Sequence, residues 1–97
     1  MVLSLAAAQA ADGQVRFQNE TSETLSIVMD GLSICALYPG ASCTAPAGGD
    51  PAQDHAVRVE APTRTYDDSF NIDECYGVGA DTFVYYIRND DISVDCD

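Results

Sequence analysis

From Gln14 onward, apolar and polar residues alternate with a period of two, not with the 3.6-residue period of a helix. Val15 and Phe17 alternate with Arg16 and Gln18. Leu25, Ile27 and Met29 alternate with Ser26, Val28 and Asp30, and Leu32, Ile34 and Ala36 continue on the return strand. Val57 and Val59 alternate with Arg58 and Glu60, and Pro62 ends that strand. Phe70 and Ile72 oppose Asp67, Ser69, Asn71 and Asp73. Thr82 to Arg88 is apolar on both faces and rich in β-formers, which suits a central strand. Ile92, Val94 and Cys96 form an inward row on a last strand.

Turn residues punctuate these runs. Asp30-Gly31 fits a type I′ hairpin, because glycine accepts the positive φ it demands. Pro39-Gly40 fits a type II turn. Ala45 to Asp54 is rich in alanine, glycine and proline and reads as a loop, as does Gly77-Val78-Gly79. Asn89-Asp90-Asp91 turns the chain before the last strand. The pattern predicts an all-β fold of seven to eight short strands, an antiparallel β-sandwich or small barrel, with no helix after Ala11.

The 97 residues fit one domain, and a core this small is marginal on its own. Four cysteines, Cys35, Cys43, Cys75 and Cys96, offer covalent support. They lack finger or ribbon spacing and His55 is the sole histidine, so two disulfides are expected rather than a zinc site. Cys35 and Cys43 flank the Pro39-Gly40 turn. As hairpin neighbours they would close a loop of about nine residues, worth roughly 2.5 kcal/mol in the chain-entropy account. Cys75 with Cys96 follows by elimination. A simple meander would put these two on either side of a central strand, about 10 Å apart. A disulfide spans at most about 7 Å between Cα atoms, so one flanking segment must leave the sheet. Cys75, beside glycines, is the one expected to move.

The cysteines also mark an oxidising compartment. Val2 to Ala8 is small and apolar and ends in Ala8-Gln9-Ala10, a small-x-small site with cleavage before Ala11. It has no cationic start and a short apolar stretch. Residues 1–10 are therefore read as a truncated signal remnant and residues 11–97 as the domain of a secreted or periplasmic protein. No later stretch has the length of a membrane span.

Charge narrows the functions. Sixteen acids face four arginines and no lysine, a net charge of −12. That excludes nucleic acid and anionic lipid as partners, since phosphate recognition needs cations. It suits a solvated surface or a basic protein partner.

Four elements across Val15 to Val59 belong together: Phe17-x-Asn19-x-Thr21, Met29-Asp30-Gly31, the Pro39-Gly40 turn and His55-x-Val57-x-Val59. This stretch resembles the small extracellular β-sandwich modules of the PEGA type. The resemblance implies a non-enzymatic surface or periplasmic domain accessory to a larger protein. The cysteines and the acidic third depart from the module, so no functional residue is carried over.

Candidate chemistry is sparse. His55 has no Gly-x-Ser-x-Gly elbow to serve, and paired cysteines are poor nucleophiles, so no catalytic residue is assigned. No cofactor is implied. Asp67-x-Ser69-x-Asn71-x-Asp73 mimics half an EF-hand loop, but Ile72 and Val78 stand where that loop needs glycine and glutamate. The polar face of a strand explains the same spacing. Asp90, Asp91, Asp95 and Asp97 form a second acidic cluster, readable as a Ca²⁺ site or as a solvated turn and tail. Asn19-Glu20-Thr21 is a glycosylation sequon. Tyr85 and Tyr86 point to opposite faces, one toward the core and one outward. Tyr66, Tyr76, Tyr86, Asp67 and Asp68 are the candidate partner surface. The expected function is a structural or accessory binding module, with an acidic inhibitor of a basic hydrolase such as lysozyme and a Ca²⁺-binding surface domain as alternatives.

Overall fold

The computed structural model describes residues 13–48, 50, 52–80 and 82–97; the expected signal remnant lies outside them. The strands are β1 (Gly13–Glu20), β2 (Leu25–Met29), β3 (Leu32–Leu37), β4 (Ser42–Gly48), β5 (His55–Ala61), β6 (Arg64–Phe70), β7 (Thr82–Arg88) and β8 (Ile92–Cys96), with one short helix, α1 (Asp73–Gly77), before β7. They form two four-stranded sheets, ordered β4-β1-β7-β8 and β3-β2-β5-β6. Strand β1 runs parallel to β7, and every other pair is antiparallel.

The period-two rows become the core between the sheets. Val15 and Phe17 on β1, Leu25 and Ile27 on β2, and Val57 and Val59 on β5 are all buried. So are Phe83, Tyr85 and Ile87 on β7. The aromatic rings share the space between sheets: Phe17 meets Tyr85 edge-on at 5.8 Å, and Phe70 stacks on Phe83 at 5.1 Å. Strand β7 is central, as its two apolar faces predict. Its outward Val84 is also buried, between Arg16 and Asp95 in the register.

The Asp30-Gly31 turn forms as expected, with φ of 54° and 81°. Downstream the parity differs from expectation. A bulge at Ile34 breaks the β2–β3 register, so Ile27 faces Cys35 and Leu25 faces Leu37. Leu37 rather than Ala36 enters the core, because one extra residue flips every later side chain.

The first part of the expected Ala45–Asp54 loop, up to Gly48, is instead strand. Ala45 and Ala47 are buried on β4 while Thr44 and Pro46 point out. Low β-propensity concealed the alternation. An edge strand tolerates both proline and small residues.

The Pro39-Gly40 turn closes as expected, with Gly40 at φ 84° and the Ala41 amide bonded to the Tyr38 carbonyl. It does not make a hairpin. Strands β3 and β4 lie in different sheets, and Cys35–Cys43 crosses between them with Cα atoms 6.7 Å apart.

The second disulfide is Cys75–Cys96, with Cα atoms 5.3 Å apart. Cys75 has left the sheet, as the spacing requires, but it does so on a helix that the pattern did not predict. Asp73 and Glu74 fill the first turn of α1, where acids favour the helix dipole. The Asn71 side chain accepts the Asp73 amide. Gly79, at φ 83°, turns the chain back so that the Ala80 amide reaches the Cys75 carbonyl. Ile72 and Cys75 are fully buried against the core. Ile92, Val94 and Cys96 share the core-facing side of β8 with Ile87, Tyr85 and Phe83. Val94 is nonetheless 54% exposed, since β8 is an edge strand.

Candidate functional site

The strongest local structure lies at one pole of the sandwich, where four connections meet: residues 21–24, 38–41, 62–63 and 89–91. Asn19 is the hub. It continues the inward row of Val15 and Phe17 and is completely buried. Its Nδ2 donates to the carbonyls of Glu23 (2.8 Å) and Leu37 (2.9 Å). Its Oδ1 accepts from the Thr21 amide and hydroxyl, at 2.9 and 2.7 Å. Its own amide and carbonyl pair with Ala41 and Gly40. A buried amide with every group satisfied fixes the surrounding loops. The Asn19-Glu20-Thr21 sequon is thus structural in the folded chain, for the nitrogen a glycan would modify is enclosed and fully bonded. Its inward parity was the sequence signal for this role.

The remaining loops dock on that hub. The Ser22 amide bonds the Asn89 side chain at 3.2 Å, and the Thr63 hydroxyl donates to the Glu23 carboxylate at 3.0 Å. Arg88 pairs with Glu20 at 2.9 Å and lies over the Tyr86 ring at 5.4 Å. Asp90 and Asp91 project from the last turn without an ion pair among the described residues. Tyr38, 74% exposed, stands on the neighbouring turn.

The sequence-designated tyrosines and acids do not form one surface. Tyr66 and Asp68 share the inward side of β6 with Phe70. Asp67 points outward and pairs with Arg58 at 2.8 Å. Arg64 lies over the Tyr66 ring at 5.3 Å. Tyr86 is on the outer face of the other sheet, and the side chain of Tyr76 lies outside the described part of the chain. Tyr85 is the core member of its pair. Its hydroxyl donates to Asp68 at 2.6 Å. Burial first, then the Asp68 carboxylate, pushes the Tyr85 phenol above its ordinary value.

The acidic cluster at β8 is also split. Asp90 and Asp91 precede the strand, whereas Asp95 and Asp97 lie at its far end. Asp97 is bound to Arg16 at 3.2 Å, and Asp95 accepts the Cys96 amide. The EF-hand-like spacing is mostly strand: Asp67 and Ser69 lie on β6, Asn71 bonds Asp54, and Asp73 opens α1. Among the described residues no group of three acidic, histidine or cysteine side chains is placed to hold a metal.

His55 is buried at the start of β5. Its Nδ1 bonds Asp30 at 2.7 Å, and its ring tilts against Phe70 at 5.6 Å. Asp30 also accepts the Ala56 amide at 2.9 Å, so the pair pins the β2–β3 turn onto β5. The His55 hydrogen bond is the main cause holding the Asp30 carboxyl below its ordinary value, against a smaller opposing effect of burial.

A shallow depression lies on the outer face of β2, β5 and β6, lined in part by Val28, Ala56, Arg58, Glu60 and Asp67. No protein-family model, curated protein or solved structure matches this chain.

Proposed function

We propose that the chain is a secreted or periplasmic, non-enzymatic β-sandwich module that binds a basic protein surface through its acidic loop pole. The two disulfides and the lack of any described helix long and apolar enough to cross a membrane are compatible with that location. The resemblance of Val15–Val59 to PEGA-type modules points the same way.

The observation that carries the reading is the fate of the arginines. Arg16, Arg58 and Arg88 are each held by a carboxylate, and Arg64 lies over Tyr66. Most of the described acids they leave over are exposed. Asp90 and Asp91 are among them, on a turn that Asn89 ties to Ser22, in the loop next to Asn19. A fixed anionic loop end speeds and orients encounter with a cationic partner. Inhibition of a basic hydrolase is the second reading, favoured by the exposed Tyr38 beside this end, which supplies an aromatic contact for the rim of an active site.

Calorimetric titration with a panel of basic secreted proteins, lysozyme among them, tests the proposal. Binding that weakens with added salt and falls in an Asp90→Asn/Asp91→Asn variant is expected. Absence of binding at low salt, or binding indifferent to that variant, contradicts it. Hydrolase assays on the same mixtures separate inhibition from plain binding.

A further inference from the structure

Charge is distributed unevenly over this molecule. Between Asp30 and Asp50 no residue is charged, although the chain carries sixteen acids and four arginines. That neutral span supplies β3 and β4. Both are edge strands, one from each sheet, and Cys35–Cys43 joins them along a single rim.

Edge strands present unpaired backbone groups, and proteins blunt them with charges, prolines, bulges or short length. Here β6 carries Asp67 and Asp68, β8 is five residues long and holds Asp95, and β4 holds Pro46. Strand β3 (Leu-Ser-Ile-Cys-Ala-Leu) has neither charge nor proline, and the bulge at Ile34 is its one such device. Leu32 at its start is 67% exposed, and Ala36 is exposed on its outer side.

We infer that this rim is a self-association surface, at which a second copy of the chain packs β3 edge to β3 edge about a two-fold axis. In such an interface every residue meets its own patch again. A carboxylate there would face its duplicate. For a chain of net charge −12, a charge-free rim is the composition self-contact demands. A basic partner would find nothing on it to pair with, so the rim and the acidic pole call for different occupants. Two edge strands make a narrow interface, so the dimer is weak and concentration-dependent.

The two contacts respond oppositely to salt. Screening weakens attraction to a basic partner but relieves repulsion between two anionic copies. The test is sedimentation equilibrium of the full chain from about 10 µM to about 1 mM, a range suited to a narrow interface. Salt is varied from about 0.02 M to about 0.5 M NaCl, which shortens the screening length several-fold. A monomer–dimer equilibrium that tightens several-fold with salt is expected. Ala36→Glu and Leu32→Glu abolish it, whereas Thr65→Glu on the opposite rim does not. Circular dichroism confirms that each variant remains folded. A chain monomeric throughout the range overturns the inference. So does a dimer that survives both β3 variants, or one that loosens as salt rises. Since the basic-partner titration reads the opposite salt dependence, failure of one proposal leaves the other standing.

Discussion

At one rim of the sandwich β3 and β4 are joined directly, sheet to sheet, by Cys35–Cys43, and the residues of both strands are uncharged. At the other rim no bond runs between β6 and β8 among the described residues. Cys96 on β8 is tied instead to Cys75 on α1, the connection that follows β6. Side chains close the remaining distance: Phe70 stacks on Phe83, and Asp68 receives the Tyr85 hydroxyl. A covalent joint lets the first rim dispense with charged side chains and stay neutral. The second depends on polar and aromatic contacts and so carries acids. The difference in closure thus leads to a difference in what each rim can meet.

Removing the staples tests that contrast most severely. Cys75→Ala/Cys96→Ala frees a segment spanning a separation of 21 residues, against 8 for Cys35→Ala/Cys43→Ala. Chain entropy assigns about 3.3 kcal/mol to the first and about 2.5 kcal/mol to the second. Urea unfolding of both double variants should preserve that order. The reverse order would mean that side chains contribute more to the β6–β8 closure than the disulfide does.

Asn19→Ala attacks the loop pole. It strips partners from the carbonyls of Glu23 and Leu37 and from Thr21, a loss of about 3 kcal/mol for buried groups left unsatisfied. Hydrogen exchange should rise in the loops at 21–24 and 38–41 while β5 stays protected. A loss under about 1 kcal/mol would show that water replaces the amide readily.

Tyr85→Phe probes the polar closure of the second rim alone. Asp68 regains water on its exposed side, so the expected loss is only about 1 kcal/mol in chemical unfolding. Wild-type stability in this variant would make the Tyr85–Asp68 bond incidental to the rim.

The smallest effect is a pH dependence at the β2–β3 turn. Asp30 titrates lower in the folded chain than its ordinary 3.8, so its contribution is complete above that value. It drains away as pH falls through the lower folded value. Asp30→Asn keeps a residue that tolerates positive φ but removes the titration. The stability gap between wild type and Asp30→Asn, followed by urea midpoints, should therefore narrow as the solution is acidified below 3.8. A gap that widens on acidification would contradict the assignment.

These contrasts were only partly legible in the chain. Strict alternation at Val15–Phe17, Leu25–Met29 and Val57–Val59 exposed the core rows, and glycine marked the turns. The pairing of Cys35 with Cys43 followed from their nearness, but their crossing between sheets did not. A tight turn looks the same whether the next strand pairs with the last or changes layer. The bulge at Ile34 left no mark because both parities there offer apolar residues. Strand β4 was hidden by alanines whose small size suits a rim held by a disulfide. At the pole, Asn19 kept the inward parity of its strand, yet a polar residue in a core row reads first as surface chemistry. The tyrosines and acids grouped as a partner surface were separated by β6 itself, which sends Tyr66 and Asp68 to one face and Asp67 to the other.

The most direct test of a molecule divided between an acidic loop pole and a neutral rim is residue-resolved amide exchange, with and without a basic protein that binds it. New protection is expected at residues 20–23 and 89–91, with none along Leu32–Leu37. Protection that appears first along β3 and leaves the 89–91 turn untouched would contradict that division.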